Sequence, residues 1–352
     1  MSTARPDTPP ALSSLADLAE AGLVARGDLP GLAPVEAEFR IRLTAEMQGA
    51  IGAPDDGVAR QFLPSRAELV TRPEELLDPI GDAAHAPVPG LTHRYPDRVI
   101  LHVTKTCDVY CRFCFRRETV GETGPLPEDA LAAALDYIAR TPAIREVVLT
   151  GGDPLTLSAR RIGAVLTRLR AIPHLTQIRF HTRVPVVAPY RITEALLETL
   201  AAPGPAVWIV LHTNHADELT PAARAAIARL VDRGVPMLSQ SVLLRGVNDT
   251  PEALASLFTA LTALRVKPYY LHHCDLARGT SQFRTTIDEG RALLRALRGR
   301  ITGTALPTYV LDIPGGFGKV PINGDHVRAI AQGLWEVTDW RGATHSYKDP
   351  AR

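Results

Sequence analysis

Cysteine, lysine and aromatic side chains are all scarce in this chain. Only four cysteines occur in 352 residues, and three of them, Cys107, Cys111 and Cys114, fall in one short segment. A secreted disulfide scaffold spreads its cysteines out, so this spacing excludes one and reads as a metal site in a reducing compartment. Of the 39 basic residues, only Lys105, Lys267, Lys319 and Lys348 are lysines. The bland explanation is a GC-rich genome that favours arginine codons. Arginine does not deprotonate, however, so any chemistry that needs a neutral amine falls to these few lysines. Neither sign of charge is in excess: the net charge is +1. That speaks against nucleic acid or an acidic membrane surface as a partner. No apolar run approaches the roughly 18 residues that span a bilayer. Met1 to Pro10 lacks the apolar core of a secretory signal. The expected location is cytoplasmic.

What is present is the composition of a soluble globular protein, 45% hydrophobic and 22% charged. Its length suits one large domain with an added layer, or two ordinary domains. Residues 1–10 read as a disordered tail. Residues 11–92 read as a helical region, with apolar residues at helical spacing over Leu15–Leu23 and Val35–Met47 and with proline-containing breaks. From Arg98 the rhythm changes. Short apolar runs at Val99–Val103, Glu146–Leu149, Gln177–Phe180, Trp208–Leu211, Met237–Ser239 and Tyr269–His272 alternate with amphipathic helices. Those helices are Glu128–Arg140, Ala159–Ala171, Thr193–Ala201, Pro221–Arg233, Glu252–Leu264 and Asp288–Leu297. Six βα units in series predict an α/β fold whose parallel sheet closes fully or partly into a barrel over residues 93–312. A doubly wound open sheet is the alternative. A further strand, Thr308–Leu311, precedes a segment over residues 313–352.

In parallel α/β folds the active site gathers at the C-terminal ends of the strands. The unusual residues stand there. The cysteines follow the first strand, Thr150–Pro154 the second, His212 the fourth, Gln240 the fifth and Asp275 the sixth. Three thiolates spaced C-x3-C-x2-C can each take one iron of a cubane and leave the fourth iron open. A zinc site, with Cys274 or a histidine as fourth ligand, is the competing reading. The motif and its place resemble the radical S-adenosylmethionine superfamily. The resemblance implies a partial barrel, a [4Fe–4S] cluster on Cys107, Cys111 and Cys114, and S-adenosylmethionine chelated to the open iron. Gly151-Gly152-Asp153-Pro154 is similar to the turn that approaches the methionyl amino group in that superfamily.

The loop Pro314-Gly-Gly-Phe-Gly-Lys319 lacks the spacing of a phosphate-binding loop. Its lysine could form a Schiff base with pyridoxal 5′-phosphate, or it could be a plain surface lysine. Here the chain resembles the lysine 2,3-aminomutase family. The match runs from about Thr92 to Pro321 through Arg94–Arg98, Cys107–Arg117, Thr150–Leu155, Gln240–Asp249, Tyr269–Asp275 and Val310–Pro321. The resemblance implies an isomerase that converts L-lysine to β-lysine with pyridoxal phosphate on Lys319. It implies Arg94, Tyr95 and Arg98 at the cofactor phosphate, and His212 and Gln240 near S-adenosylmethionine. It implies Arg116 at the substrate carboxylate, and Asp275 with Asp312 at its far ammonium.

Glutamate-specific members would need cationic or amide groups in place of those two aspartates. The same chemistry serving elongation factor P, through (R)-β-lysine, is the runner-up. The resemblance also implies a flavodoxin or ferredoxin as electron donor, and allows a homo-oligomer. Two departures stand out. His272 replaces a tyrosine of the best-known lysine mutases, and Thr250 replaces a cysteine. With no cysteine-bearing extension before Arg352, the structural zinc of those enzymes is not expected. A metal-binding module without catalysis and a pyridoxal enzyme without radical chemistry are the competing classes.

Overall fold

The computed structural model describes residues 10–121, 124–324, 326–332, 334–339 and 341–348. The tail expected over 1–10 lies, Pro10 apart, outside the described residues.

The sheet grows in chain order. Strands β1 (Leu91–Tyr95), β2 (Arg98–Thr104), β3 (Glu146–Gly151), β4 (Gln177–Thr182), β5 (Ala206–His212), β6 (Met237–Leu243), β7 (Lys267–His273), β8 (Thr308–Asp312) and β9 (Lys319–Pro321) lie side by side in that order. From β2 to β8 every pairing is parallel, while β1 and β9 add antiparallel edges. No strand joins the two edges among the described residues, so the barrel is partial. Each parallel step needs a crossover helix; the first, Glu128–Ala139, follows Pro127 without a side-chain cap, and a capping hydroxyl marks the start of the other five. Ser158, Thr193, Thr220, Thr250 and Thr286 each accept a backbone N–H three residues on. Such an N-cap is worth about 1 kcal/mol. Thr250 thus has a local job, with its hydroxyl 3.2 Å from Ala253 N.

Side chains alternate across each strand. On β6, Ser239 and Ser241 are buried against the outer layer, while Leu238, Gln240 and Val242 face the hollow of the sheet. On β4, Ile178 and Phe180 pack outward, and Gln177, Arg179 and His181 point inward. One continuous apolar core runs from Leu18 and Val35 through Leu101, Ile178 and Leu211 to Leu294. Among the described residues no helix is long and apolar enough to cross a membrane.

Several expectations need correction. Val35–Met47 is not one helix. The helix Leu29–Glu38 ends, Phe39–Thr44 is extended with Leu43 bridged to Leu12, and Thr44 caps a second helix, Ala45–Ala50. Phe39, Ile41 and Leu43 alternate with polar residues at strand spacing, so the extended stretch follows the local pattern, and the threonine cap starts the next helix. Leu91–Tyr95 is a strand that folds back on β2, and it runs across position 92. Gln240 does not follow its strand. β6 continues to Leu243, so Gln240 sits within it, level with His212. Residues 327–348 hold a separate three-stranded antiparallel sheet, β10 (Val327–Ala331), β11 (Leu334–Thr338) and β12 (Thr344–Lys348). β10 and β12 are exposed throughout, so they carry no apolar alternation to read.

The N-terminal segment is draped over the C-terminal ends of the strands. Tyr110 N donates to Arg42 O at 3.0 Å and Arg112 N to Gln61 O at 2.8 Å. Thr44 Oγ1 donates to Val187 O at 2.6 Å. That end of the sheet is where the site lies.

Candidate active site

Every residue singled out for a site lines one cavity of about 830 Å³. Residues far apart in sequence reach it because cavity-facing positions recur at every second residue of adjacent strands.

At one end lies the cysteine loop. Cys107, Cys111 and Cys114 are free and half-buried. The loop and the residues just after it are pinned by charge. The buried Arg112 guanidinium grips Glu68 through Nε, 3.0 Å from both carboxylate oxygens, and Arg117 bonds the same carboxylate. Buried pairs of this kind add little net stability, but breaking one is expensive, so they fix geometry. Burial pushes the Cys107 thiol up, helped by the Asp153 charge, and pushes Cys114 up to about 11. Such thiols stay protonated unless a cation replaces the proton. Among the described residues no three His, Cys, Asp or Glu side chains gather tightly enough for a single metal ion. A cubane does not ask for that, because each thiolate takes a separate iron. Cys274 packs with Leu244, Val247 and Phe283 and does not line the cavity. The donor set therefore fits a three-cysteine cluster.

The glycine turn is required by space. Gly151 has φ +110, and a side chain on Gly152 would sit 2.4 Å from Thr106 O. Asp153 faces inward and spends its carboxylate on the fold, taking Leu155 N at 3.0 Å, Thr182 Oγ1 at 2.6 Å and Arg183 N at 2.6 Å. It staples the β3 and β4 ends together, and burial pushes its carboxyl up to about 6. Further in, the buried Nε2 atoms of His181, His212 and His272 have no hydrogen-bond partner. Buried polar atoms without partners are uncommon. All three residues belong to the lining of the one cavity.

At the other end, Lys319 Nζ lies 2.6 Å from Asp312 Oδ1, and Lys319 N donates to Tyr95 Oη at 2.8 Å. His272 Nδ1 is 3.1 Å from Asp312 Oδ2. Burial works to raise the Asp312 carboxyl, but His272 and Lys319 outweigh it and hold it well below the usual range. Asp275 takes the opposite course. Burial, then the Asp312 charge, push it up to about 7. The Tyr270 ring lies 5.7 Å from Lys319 Nζ. Arg98 stacks over Tyr95 with its guanidinium carbon 3.9 Å from the ring centre. Arg94 and Arg116 share Asp82, with Arg94 Nη2 3.3 Å from Oδ1 and Arg116 Nε 2.9 Å from Oδ2.

Sequence reasoning missed Asp82, His181, Arg183 and Tyr270. The strand-end rule could have found His181 to Arg183, since they follow the third expected strand. Asp82 sits in a turn with no motif.

The radical SAM superfamily model matches residues 101–258, and the lysine-2,3-aminomutase model matches residues 294–352. The L-lysine 2,3-aminomutase of Fusobacterium nucleatum is 41% identical over 294 residues, 83% of this chain and 69% of that protein. The putative L-lysine 2,3-aminomutase of Aquifex aeolicus is 45% identical over 278 residues, 78% of this chain and 75% of that one. A radical SAM methyltransferase of known structure from Sphaerobacter thermophilus is 21% identical with a TM-score of 0.43, covering 63% of this chain and 68% of that one. With this identity to aminomutases along most of its length, the chain belongs to the lysine 2,3-aminomutase family of the radical SAM superfamily, and is an isomerase working with a [4Fe–4S] cluster and S-adenosylmethionine.

Proposed function

We propose that the enzyme moves the α-amino group of L-lysine to the β-carbon, giving β-lysine, with pyridoxal phosphate held on Lys319. The observation that carries this reading is the far end of the cavity. There Asp312 pairs with an ammonium group, Lys319 Nζ, and the Asp275 carboxyl lies near enough for both charges to act on it. A pocket that already stabilises one alkylammonium suits another. A glutamate side chain would bring a third carboxylate there, and like charges at this range repel strongly.

When bound, the cluster and S-adenosylmethionine supply a radical that abstracts hydrogen, and pyridoxal phosphate supplies the π-system that carries the migrating nitrogen. The chain's own residues bind and orient. Cys107, Cys111 and Cys114 would hold three irons, with the Gly151–Gly152 backbone, His212 and Gln240 toward S-adenosylmethionine. Arg94, Tyr95 and Arg98 would hold the cofactor phosphate, a task suited to paired guanidinium groups. Arg116 would take the substrate carboxylate. The N-terminal segment and the Asp153 staple close the strand ends over the chamber, which limits water during radical chemistry. A one-electron donor of the flavodoxin or ferredoxin class serves the enzyme in this reading.

The test is anaerobic, reconstituted enzyme fed L-lysine, with chiral analysis of the product. β-Lysine is the expected product, and its configuration separates a metabolic role from the elongation-factor role. Fully loaded enzyme that isomerised glutamate as well as lysine would overturn the reading.

A further inference from the structure

One cluster cysteine has a cationic neighbour. Arg183 Nη1 donates to Cys111 Sγ at 2.8 Å. The guanidinium is held from its other side: Nη2 donates to Gln61 Oε1 at 2.6 Å and to the Glu218 carboxylate. Phe62 and Phe113 flank it, with ring centres 4.7 and 5.6 Å away. Glu218 is fully buried and equally fixed, since its Oε1 takes Asn214 N at 2.9 Å, His215 N at 2.8 Å and Gln61 Nε2 at 2.9 Å. A purely structural Arg–Glu pair that ties the β4 and β5 loops would account for Gln61 and Glu218. It gives no reason for the remaining amine to face sulfur.

We propose that Arg183 is a positioning residue that sets the reduction potential of the cluster through Cys111, with Glu218 as the counter-charge that moderates it. The inference rests on Cys111 being an iron ligand. A cluster gains negative charge on reduction. A cation and an N–H···S bond at one of its thiolates favour the reduced form and raise the potential, while a nearby carboxylate lowers it. In a water-poor site such effects are large. The two partners should therefore act with opposite sign.

The experiment is an anaerobic redox titration of the reconstituted full-length protein without S-adenosylmethionine, followed by electron paramagnetic resonance, with iron and sulfide measured on each sample. Arg183→Gln should keep the cluster and shift its potential to more negative values. Arg183→Lys should shift it less, because the charge remains. Glu218→Gln should shift it to more positive values. Unchanged potentials in cluster-loaded variants, or shifts of the same sign for Arg183→Gln and Glu218→Gln, would overturn the proposal. If one variant fails to fold, the sign of the other still decides. Wild-type protein that assembles no iron cluster would sink the ligand assignment itself, a distinct result.

Discussion

Lys319 and Asp312 form an ion pair inside the cavity, with Nζ 2.6 Å from Oδ1. The lysine proposed to hold the cofactor therefore pairs with the carboxylate proposed to hold the substrate ammonium, and under that proposal a Lys319 bound to pyridoxal phosphate leaves Asp312 open to an incoming ammonium. A charge-assisted hydrogen bond contributes about 1.5–3 kcal/mol, so Asp275→Asn and Asp312→Asn should each lower kcat/KM for lysine roughly ten- to a hundredfold. Iron and pyridoxal content should hold. Full lysine activity in both variants would remove this pocket assignment.

Borohydride reduction and peptide mapping should find the pyridoxyl group on Lys319. Lys267 is a poor rival, because its Nζ is tied to Thr304 O and Leu306 O, each at 2.8 Å, away from the cavity. Label on Lys105, Lys267 or Lys348 instead would count against the second cofactor.

Asp275 predicts a pH dependence. Its carboxyl, pushed up to about 7 by burial and by Asp312, is partly neutral near physiological pH, with Lys319, Arg116 and Arg94 pulling the other way. A substrate ammonium favours the ionised form. The KM for lysine should therefore fall as pH rises from about 6 to about 8, and Asp275→Asn should flatten that change. In ligand-free protein the sign for stability is opposite. The unfolded carboxyl ionises near 3.8 and the folded one near 7, so its stabilising contribution is complete below 3.8 and is lost as pH rises through about 7. Melting temperatures across that window, compared with those of Asp275→Asn, check the second half.

Replacing Cys107, Cys111 or Cys114 with alanine should abolish the iron cluster after anaerobic reconstitution. Cys274→Ala should keep it, since that thiol packs beside Phe283 and Val247. A stoichiometric zinc ion and no iron in the wild type would contradict the prediction.

Asp82 joins Arg94 to Arg116, so Asp82→Ala should loosen both guanidinium groups. Pyridoxal phosphate occupancy and lysine affinity should fall together, with iron content unchanged. A fall in only one would show that the carboxylate does not couple the two arginines.

The repeating part of the fold was legible because its signals are local. Apolar runs of strand length, amphipathic helices and serine or threonine caps recur from Val99 to Leu297, and strand-end placement pointed to the cysteine loop, Gly151–Asp153, His212 and Asp275, whereas Arg94, Tyr95, Arg98, Arg116 and Asp312 came from the family resemblance alone. The N-terminal segment was less legible. Phe39, Ile41 and Leu43 alternate with Arg40, Arg42 and Thr44 at strand spacing, and Leu43 takes a backbone partner at Leu12, but the helical periodicity read over the longer window Val35–Met47 hid that short alternation. Asp82 sits in a turn without a motif, and although Arg183 stands just past an expected strand, its partners Gln61 and Cys111 lie 122 and 72 residues away, where no window of neighbouring residues announces them. β10 to β12 lack a buried face, so no period-two pattern marks them.

The Gln61 side chain has an implication for how the protein is made. Its partners are 122 residues downstream at Arg183, 153 at Asn214 and 157 at Glu218. Contacts across such spans form late, because closing long loops is entropically unfavourable and the distal partners emerge from the ribosome last. Until β5 is in place, the socket around Cys111 lacks the Asn214 and Glu218 side of its wall. The cysteine loop is therefore complete in the growing chain about a hundred residues before the last of the side chains that wall it in, Glu218, has been made.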